Sequence, residues 1–187
     1  MAEAGFQQGP GGFYVHPSEG RFLPELKTTA SVGNETERSM IASSWRKAGF
    51  DVQEAVVPAA QAQDGQARAS FPSMYSFSTG VGEPSLRNFT TAAIPRQENR
   101  WSGSNRGAWS SPEYDSLAEA FNVTLDRAER VRIIAQMTRL VSEELPAISL
   151  YYDLGTVVHT GGLKGPRAFS TDTTGSVSWN IYEWEWT

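Results

Sequence analysis

The side chains able to do acid–base, nucleophilic or metal chemistry are few and scattered. The two histidines, His16 and His159, stand near opposite ends of the chain, there is no cysteine, and no His-Glu-x-x-His pattern occurs. Thiol catalysis, disulfides and zinc–thiolate sites are therefore excluded, and no metal or other cofactor is expected. Serines are plentiful, yet none sits in a Gly-x-Ser-x-Gly elbow, and Ser102-Gly103-Ser104 reads as loop. Thr79-Gly80-Val81-Gly82 lacks the Gly-Lys-Ser/Thr of a phosphate loop and the third glycine of a dinucleotide fingerprint, and Pro84 follows closely. Glu143 and Glu144 are adjacent on an expected helix, so they point in different directions and suit a solvated face. No nucleophile and base come together, and the chain reads as non-enzymatic.

Binding chemistry remains. Trp101 and Trp109 lie in polar surroundings outside any apolar stripe, whereas Trp45 and Tyr151 fit core faces. Arg100 beside Trp101 can hold an anionic or carbonyl group through charge-assisted hydrogen bonds. The formal charge of -5, from 16 basic and 21 acidic residues spread along the chain, argues against a nucleic-acid partner. No apolar run approaches the roughly 20 residues that cross a bilayer. Residues 1–12 lack the basic and apolar regions of a secretory leader. With 187 residues and 39% hydrophobic content, the chain can bury one main core, with room for an appended subdomain.

The elements that must position these residues read as mixed helix and strand. Residues 1–20 are glycine-rich and form a flexible lead-in with one short strand at 13–15. A strand over 22–32 is followed by a helix to about Ala48, started by Asn34 with Glu37 and stopped by Gly49, and then by a strand over 52–57. That order is the crossover unit of a partly parallel sheet. Residues 58–69 form a short exposed helix or a loop, and 74–78 a strand leading into a glycine-proline loop. Residues 93–111 form a long polar loop. Ser111-Pro112-Glu113 opens a helix to about Phe121. Thr124 caps the longest helix, whose stripe of Val131, Ile134, Met137 or Thr138, Val141 and Leu145 packs on the sheet until Pro146. Strands follow over 148–152 and 156–160, then a loop over 161–175 and a bulged last strand over 177–186.

The order of these segments carries more than any one of them. Lys47-Ala48-Gly49-Phe50-Asp51-Val52, then Gly82-Glu83-Pro84, then Asn105-Arg106-Gly107 before Ser111-Pro112-Glu113-Tyr114-Asp115-Ser116-Leu117, resembles the family 5 extracellular solute-binding proteins of bacteria. These are the peptide and nickel type that serve ABC importers. Glu143-Glu144-Leu145-Pro146 running to Leu150-Tyr151-Tyr152, and the later Gly162-Leu163, are similar to further motifs of that family, and the likeness extends from about Glu25 to the end.

The resemblance implies an α/β fold, a mixed sheet flanked by helices like the second lobe of a type II periplasmic binding protein. It divides the chain into the lead-in over 1–20, a second-lobe-like domain over 21–146, and C-terminal return strands over 147–187 that pack toward a first lobe not present here. The implied function is capture of a small solute, an oligopeptide or another organic molecule, by closure of two lobes without catalysis. The partners are a small-molecule or peptide ligand and a membrane ABC permease. The setting is periplasmic or extracellular, with a lipoprotein anchor outside this chain. Peptide-binding members clamp the peptide amino terminus with an aspartate shortly before the Asp/Glu-Pro matched by Glu83-Pro84; here that position is Gly80. Phe77, Ser78, Thr79 and Gly80 then line the cleft, joined by Arg100 and Trp101, and the ammonium clamp is lost. Without the first lobe, the return strands lack partners and can self-associate. The alternative reading is a carbohydrate-binding accessory module with a nearly all-β body, using Trp179, Trp184 and Trp186 as stacking platforms.

Overall fold

The computed structural model describes residues 1–80, 82–152, 157–167 and 178–186. It divides into two compact units, one built from Met1–Ser78 and Ala92–Ala108, the other from Thr79–Thr91 and Trp109–Thr187.

The first unit holds the crossover. Strands β1 (Gln7–Gln8), β2 (Tyr14–His16) and β3 (Gly20–Arg21) form an antiparallel meander, and β4 (Glu25–Thr29) then leads into helix α1 (Val32–Lys47) and strand β5 (Gln53–Val57). After helix α2 (Gly65–Ala69) comes the short strand β6 (Met74–Tyr75). β5 and β6 both run parallel to the central β4, with Leu26 opposite Met74 and Lys27 opposite Tyr75. The α/β reading holds, with parallel and antiparallel pairing kept to separate small sheets.

The α1 cap differs from expectation. Ser31, in extended backbone, accepts from the Asn34 amide at 3.1 Å, leaving the Asn34 side chain to donate to the Thr29 carbonyl at 3.0 Å and Glu37 to accept from the Ser76 hydroxyl. A hydroxyl three residues ahead of Asn34 already satisfies the amide, so Asn34 and Glu37 brace the helix against β4 and β6. Ala42, fully buried, lets α1 lie close on Leu26 and Val52. Gly49 ends the helix turn at φ 96°, and a Cβ there would also meet the Gly12 carbonyl at 2.9 Å, so only glycine suits the position on both counts.

That close approach orders the lead-in. The Tyr14 amide donates to the Gly49 carbonyl at 2.9 Å, and Phe6, Phe22, Phe50 and Tyr14 pack ring to ring at 5.5 to 5.9 Å. A glycine-rich composition suggested little structure; aromatic contacts with Phe50 supply what composition does not show.

The second unit is centred on two helices, α3 (Pro112–Val123) and α4 (Arg127–Glu144). Ser111 caps α3 with Pro112 at its first position, as expected. Thr124 instead closes α3, its hydroxyl donating to the Ala120 carbonyl at 2.8 Å, while the Asp126 carboxylate caps α4 by accepting from the Glu129 amide at 2.8 Å. Both threonine and aspartate favour caps, and the backbone turn between them decides which end each one serves.

Helix α4 packs on α3, not on a sheet. Ile133, Met137 and Leu140 meet Tyr114, Ala118 and Phe121; of the expected stripe, Met137 is in this core and Ile134 and Val141 pack against it, while Val131 and Leu145 are exposed. The buried face is turned slightly from the expected stripe, toward Ile133 and Leu140, because the facing helix sets which side of a 3.6-residue stripe is covered most. Burying Met137 and Phe121 contributes roughly 1.5–3 kcal/mol each.

The expected return strands are largely absent among the described residues. Residues 148–152 are not strand, and Ile148, Leu150, Tyr151 and Tyr152 are exposed; no ladder pairs with them, and an extended segment without a neighbour gains no sheet hydrogen bonds. Residues 157–160 are likewise not strand. Thr156, residues 168–175 of the expected loop, and Val177 lie outside the described residues. The last strand is reduced to β8 (Glu185–Trp186), antiparallel to β7 (Leu163–Lys164), and Ile181–Glu183 is a helical turn. Buried Asn180 shapes that turn: its amide donates to the Gly165 carbonyl at 2.7 Å and its oxygen accepts from the Trp184 indole at 3.0 Å.

Candidate functional site

Beyond the carboxyl ends of β4 and β6 the first unit gathers aromatic rings and guanidinium groups. Tyr75 and Phe77, two residues apart, have ring centroids 5.8 Å from each other, and the Phe71 ring is 5.5 Å from that of Tyr75. The Tyr75 hydroxyl is hydrogen-bonded to the Thr29 hydroxyl at the end of β4, and the Thr28 hydroxyl donates to the Ser76 carbonyl at 3.1 Å. These bonds fix the direction in which the chain leaves the sheet. Arg106 lies across both rings, its guanidinium carbon 4.5 Å from the Phe77 centroid and 5.2 Å from that of Tyr75.

The loop that presents Arg106 is tightly built. Gly103 has no room for a side chain, since a Cβ would stand 2.2 Å from the Ala93 carbonyl oxygen, and the amide of buried Asn105 donates to that same oxygen at 3.1 Å. A second arginine, Arg68, comes from α2, whose Asp64 cap accepts from the amides of Gln66 and Ala67 at 2.9 and 3.2 Å. The Arg68 Nε is buried without a hydrogen-bond partner. Burial lowers the proton affinity of the Arg106 guanidinium, Tyr75 raises it, and the like charge of Arg68 lowers it again. The group still stays charged, as arginine does in proteins.

The residues expected to bind are distributed unevenly. Phe77 and Ser78 are exposed in the first unit, and Phe77 is part of the aromatic platform. Thr79 and Gly80 belong to the second unit, where local turn bonds engage both: Thr79 accepts from the Asn88 amide at 3.3 Å, and the Gly80 carbonyl accepts from the Ser85 hydroxyl at 2.6 Å. Arg100 is exposed, and both it and Trp101 adopt left-handed backbone, with φ of 55° and 58°. Trp101 presses against the start of α2, where its carbonyl oxygen would be 2.7 Å from a Cβ on Gly65. It supports the helix that carries Arg68.

Arg106 with Tyr75 and Phe77 is a further arginine–aromatic arrangement, one the sequence reading did not single out. Two sequence signals pointed there, the two-residue alternation of Tyr75 and Phe77 and the Asn105-Arg106-Gly107 segment, but nothing local joins segments so far apart in the chain.

In the second unit, Glu83-Pro84 plays a structural part. Arg130 donates to the Glu83 carboxylate at 2.6 Å, to the carbonyls of Phe121 and Thr124 at 3.0 and 3.1 Å, and covers the Phe121 ring. An open concavity of about 650 Å³ beside these residues is thereby lined by an already neutralised pair. Among the described residues no three histidines or carboxylates gather in a way that could hold a metal ion.

No family model matches the chain, and no curated protein matches it. Solved structures do. NikZ from Campylobacter jejuni, in complex with Ni(L-His), superposes on 98% of this chain with a TM-score of 0.75 at 18% identity, over 37% of its own length. The oligopeptide binding protein from Thermus thermophilus, complexed with a pentapeptide, covers 81% of this chain at 28% identity and a TM-score of 0.64, over 28% of its own length. DppA from Helicobacter pylori, an ABC transporter-associated periplasmic binding protein in complex with the peptide STSA, covers 88% at 18% identity and 0.67, over 31% of its length. The chain therefore spans about a third of the length of these proteins. In fold it is similar to these peptide- and nickel-type solute-binding proteins of ABC importers, and the order of its motifs agrees with that likeness.

Proposed function

We propose that this chain is the second lobe and return segment of a solute-binding protein that captures a small organic solute or oligopeptide by closure of two lobes, without catalysis, and delivers it to an ABC permease. The observation that carries this reading is the platform of Tyr75, Phe77 and Arg106 at the carboxyl ends of parallel strands, the part of an open α/β sheet where ligands bind. A flat aromatic surface with a guanidinium across it offers a guest stacking and hydrogen bonding at once, and Ser78 stands beside it. Trp101 and Arg100 act through α2 in this reading, and Thr79 and Gly80 shape the exit from the strand. The first lobe comes from further polypeptide, and the working compartment is outside the cytoplasm, where a lipid anchor on that polypeptide would hold the protein at the membrane. Among the described residues no helix is long and apolar enough to cross a bilayer.

Isothermal titration of the longer protein against peptides, oligosaccharides and metal chelates tests the proposal: one tight ligand is expected. Binding to none, with turnover of any, sinks it. The accessory-module reading loses its scaffold, because the body is built on helices α1, α3 and α4 and the Trp184 indole is already bonded to Asn180.

A further inference from the structure

Most of the less exposed arginines of this chain are paired with an acid. Arg21, Arg38, Arg46 and Arg130 each meet a carboxylate, at 2.8, 3.0, 2.8 and 2.6 Å. Arg68 and Arg106, both partly buried, are in no ion pair among the described residues, although the chain has 21 acidic residues to draw on. Exposed arginines need no partner, since water solvates them. Two guanidinium groups withdrawn from water, the charge of Arg68 adding to the burial that lowers the proton affinity of Arg106, carry a cost that a bound anion removes. Their supports hold them there regardless: Gly103 and Asn105 fix the Arg106 loop, Trp101 and Asp64 fix α2, and the rings of Tyr75 and Phe77 hold the Arg106 guanidinium.

We propose that Arg68 and Arg106 form a receptor for a carboxylate on the captured solute, whose adjoining flat or apolar part lies over Phe77. This rests on the solute-capture reading and specifies the ligand class. A carboxylate matches the planar, two-pronged donor edge of a guanidinium, and its single negative charge is enough to separate two like charges. A phosphate would also draw on free helix amides, and those at the start of α2 are taken by Asp64.

The test is titration of the longer protein containing this chain with the dipeptide Ala-Phe, its carboxy-terminal amide, succinate and inorganic phosphate. Ala-Phe or succinate is expected to bind, which separates a peptide carboxylate from a free organic acid, and the amide to bind about tenfold or more weakly than Ala-Phe where the peptide is the guest. Arg106→Gln and Arg68→Gln should each abolish the preference for the acid, and Arg106→Lys should keep the charge yet restore binding only in part. Circular dichroism shows whether each variant is folded. Equal binding of acid and amide overturns the receptor and leaves capture standing, as does a preference that survives both glutamine variants while Phe77→Ala weakens every probe. Phosphate bound more tightly than any carboxylate overturns the ligand class, and binding of no probe or other solute overturns capture and receptor together.

Discussion

Arg130 in α4 grips Glu83 at 2.6 Å, tying the glycine-proline loop to the helix pair of the second unit. The same guanidinium bonds two helix-end carbonyls and lies 3.7 Å from the Phe121 ring centroid. Glu83 is more than half exposed, so the ion pair itself contributes little in water. Arg130→Ala is therefore expected to destabilise the chain by about 1–3 kcal/mol, through lost carbonyl and ring contacts, and Glu83→Gln by roughly 0–1 kcal/mol. Urea unfolding of both variants checks the ranking, and equal effects would assign the stability to the ion pair.

Tyr114 is buried in the α3–α4 core and donates to the Leu86 carbonyl at 2.6 Å. Burial, aided by the charge of Asp115, pushes its phenol up to about 12 from an ordinary value of 10.0. Above the ordinary value the folded state binds more protons than the unfolded one, so this contribution to stability is complete below pH 10 and is lost as pH rises toward 12. Tyr114→Phe should cost about 1 kcal/mol at neutral pH and make the fall in melting temperature above pH 10 shallower than in the parent. Parallel falls would contradict the assignment.

Glu54 on β5 accepts from Arg46 and Arg38 of α1 and from Ser39, and the Arg46 hydrogen bond is the largest influence holding its carboxyl below the usual 4.5, against an opposing push from burial. The stabilisation is present above pH 4.5 and disappears as pH falls through the lower folded value. Glu54→Gln is expected to lower stability by roughly 1 kcal/mol at neutral pH and to converge on the parent in acid. Thermal melts from pH 7 to pH 2 measure this.

Gly103→Ala places a methyl 2.2 Å from a backbone oxygen, so the loop must move. The expected loss is about 1–3 kcal/mol, the usual range for overpacking. It should come with a displaced Arg106, read as a change in the near-ultraviolet signal of Tyr75 and Phe77. Gly20→Ala, with open space around its Cβ but left-handed backbone, provides a comparison in which strain acts without a clash.

Ile148, Leu150, Tyr152, Ile181, Tyr182 and Trp186 are exposed in the second unit. An apolar surface of this kind favours association in water. Size exclusion with light scattering should find concentration-dependent oligomers of this chain, dispersed by Leu150→Ser together with Tyr152→Ser. A strictly monomeric chain at every concentration would oppose the reading of these residues as a surface made for the first lobe.

The sequence by itself determined the elements whose signals are local. Ser111-Pro112 opens α3 because a hydroxyl and a ring with fixed φ act on their immediate neighbours, and Gly49 stops α1 for the same kind of reason. The ordered motifs also carried the family likeness. Tertiary structure decided what depends on a partner distant in the chain: whether Asn34 or Ser31 caps α1, which side of the α4 stripe is covered most, and whether residues 148–152 form a strand. It also brought Arg106 over the rings of Tyr75 and Phe77. A cap or a turn is settled within one helical turn, whereas stacking a guanidinium on a ring requires the sheet and the Gly103 loop to bring two separate segments within about five ångströms.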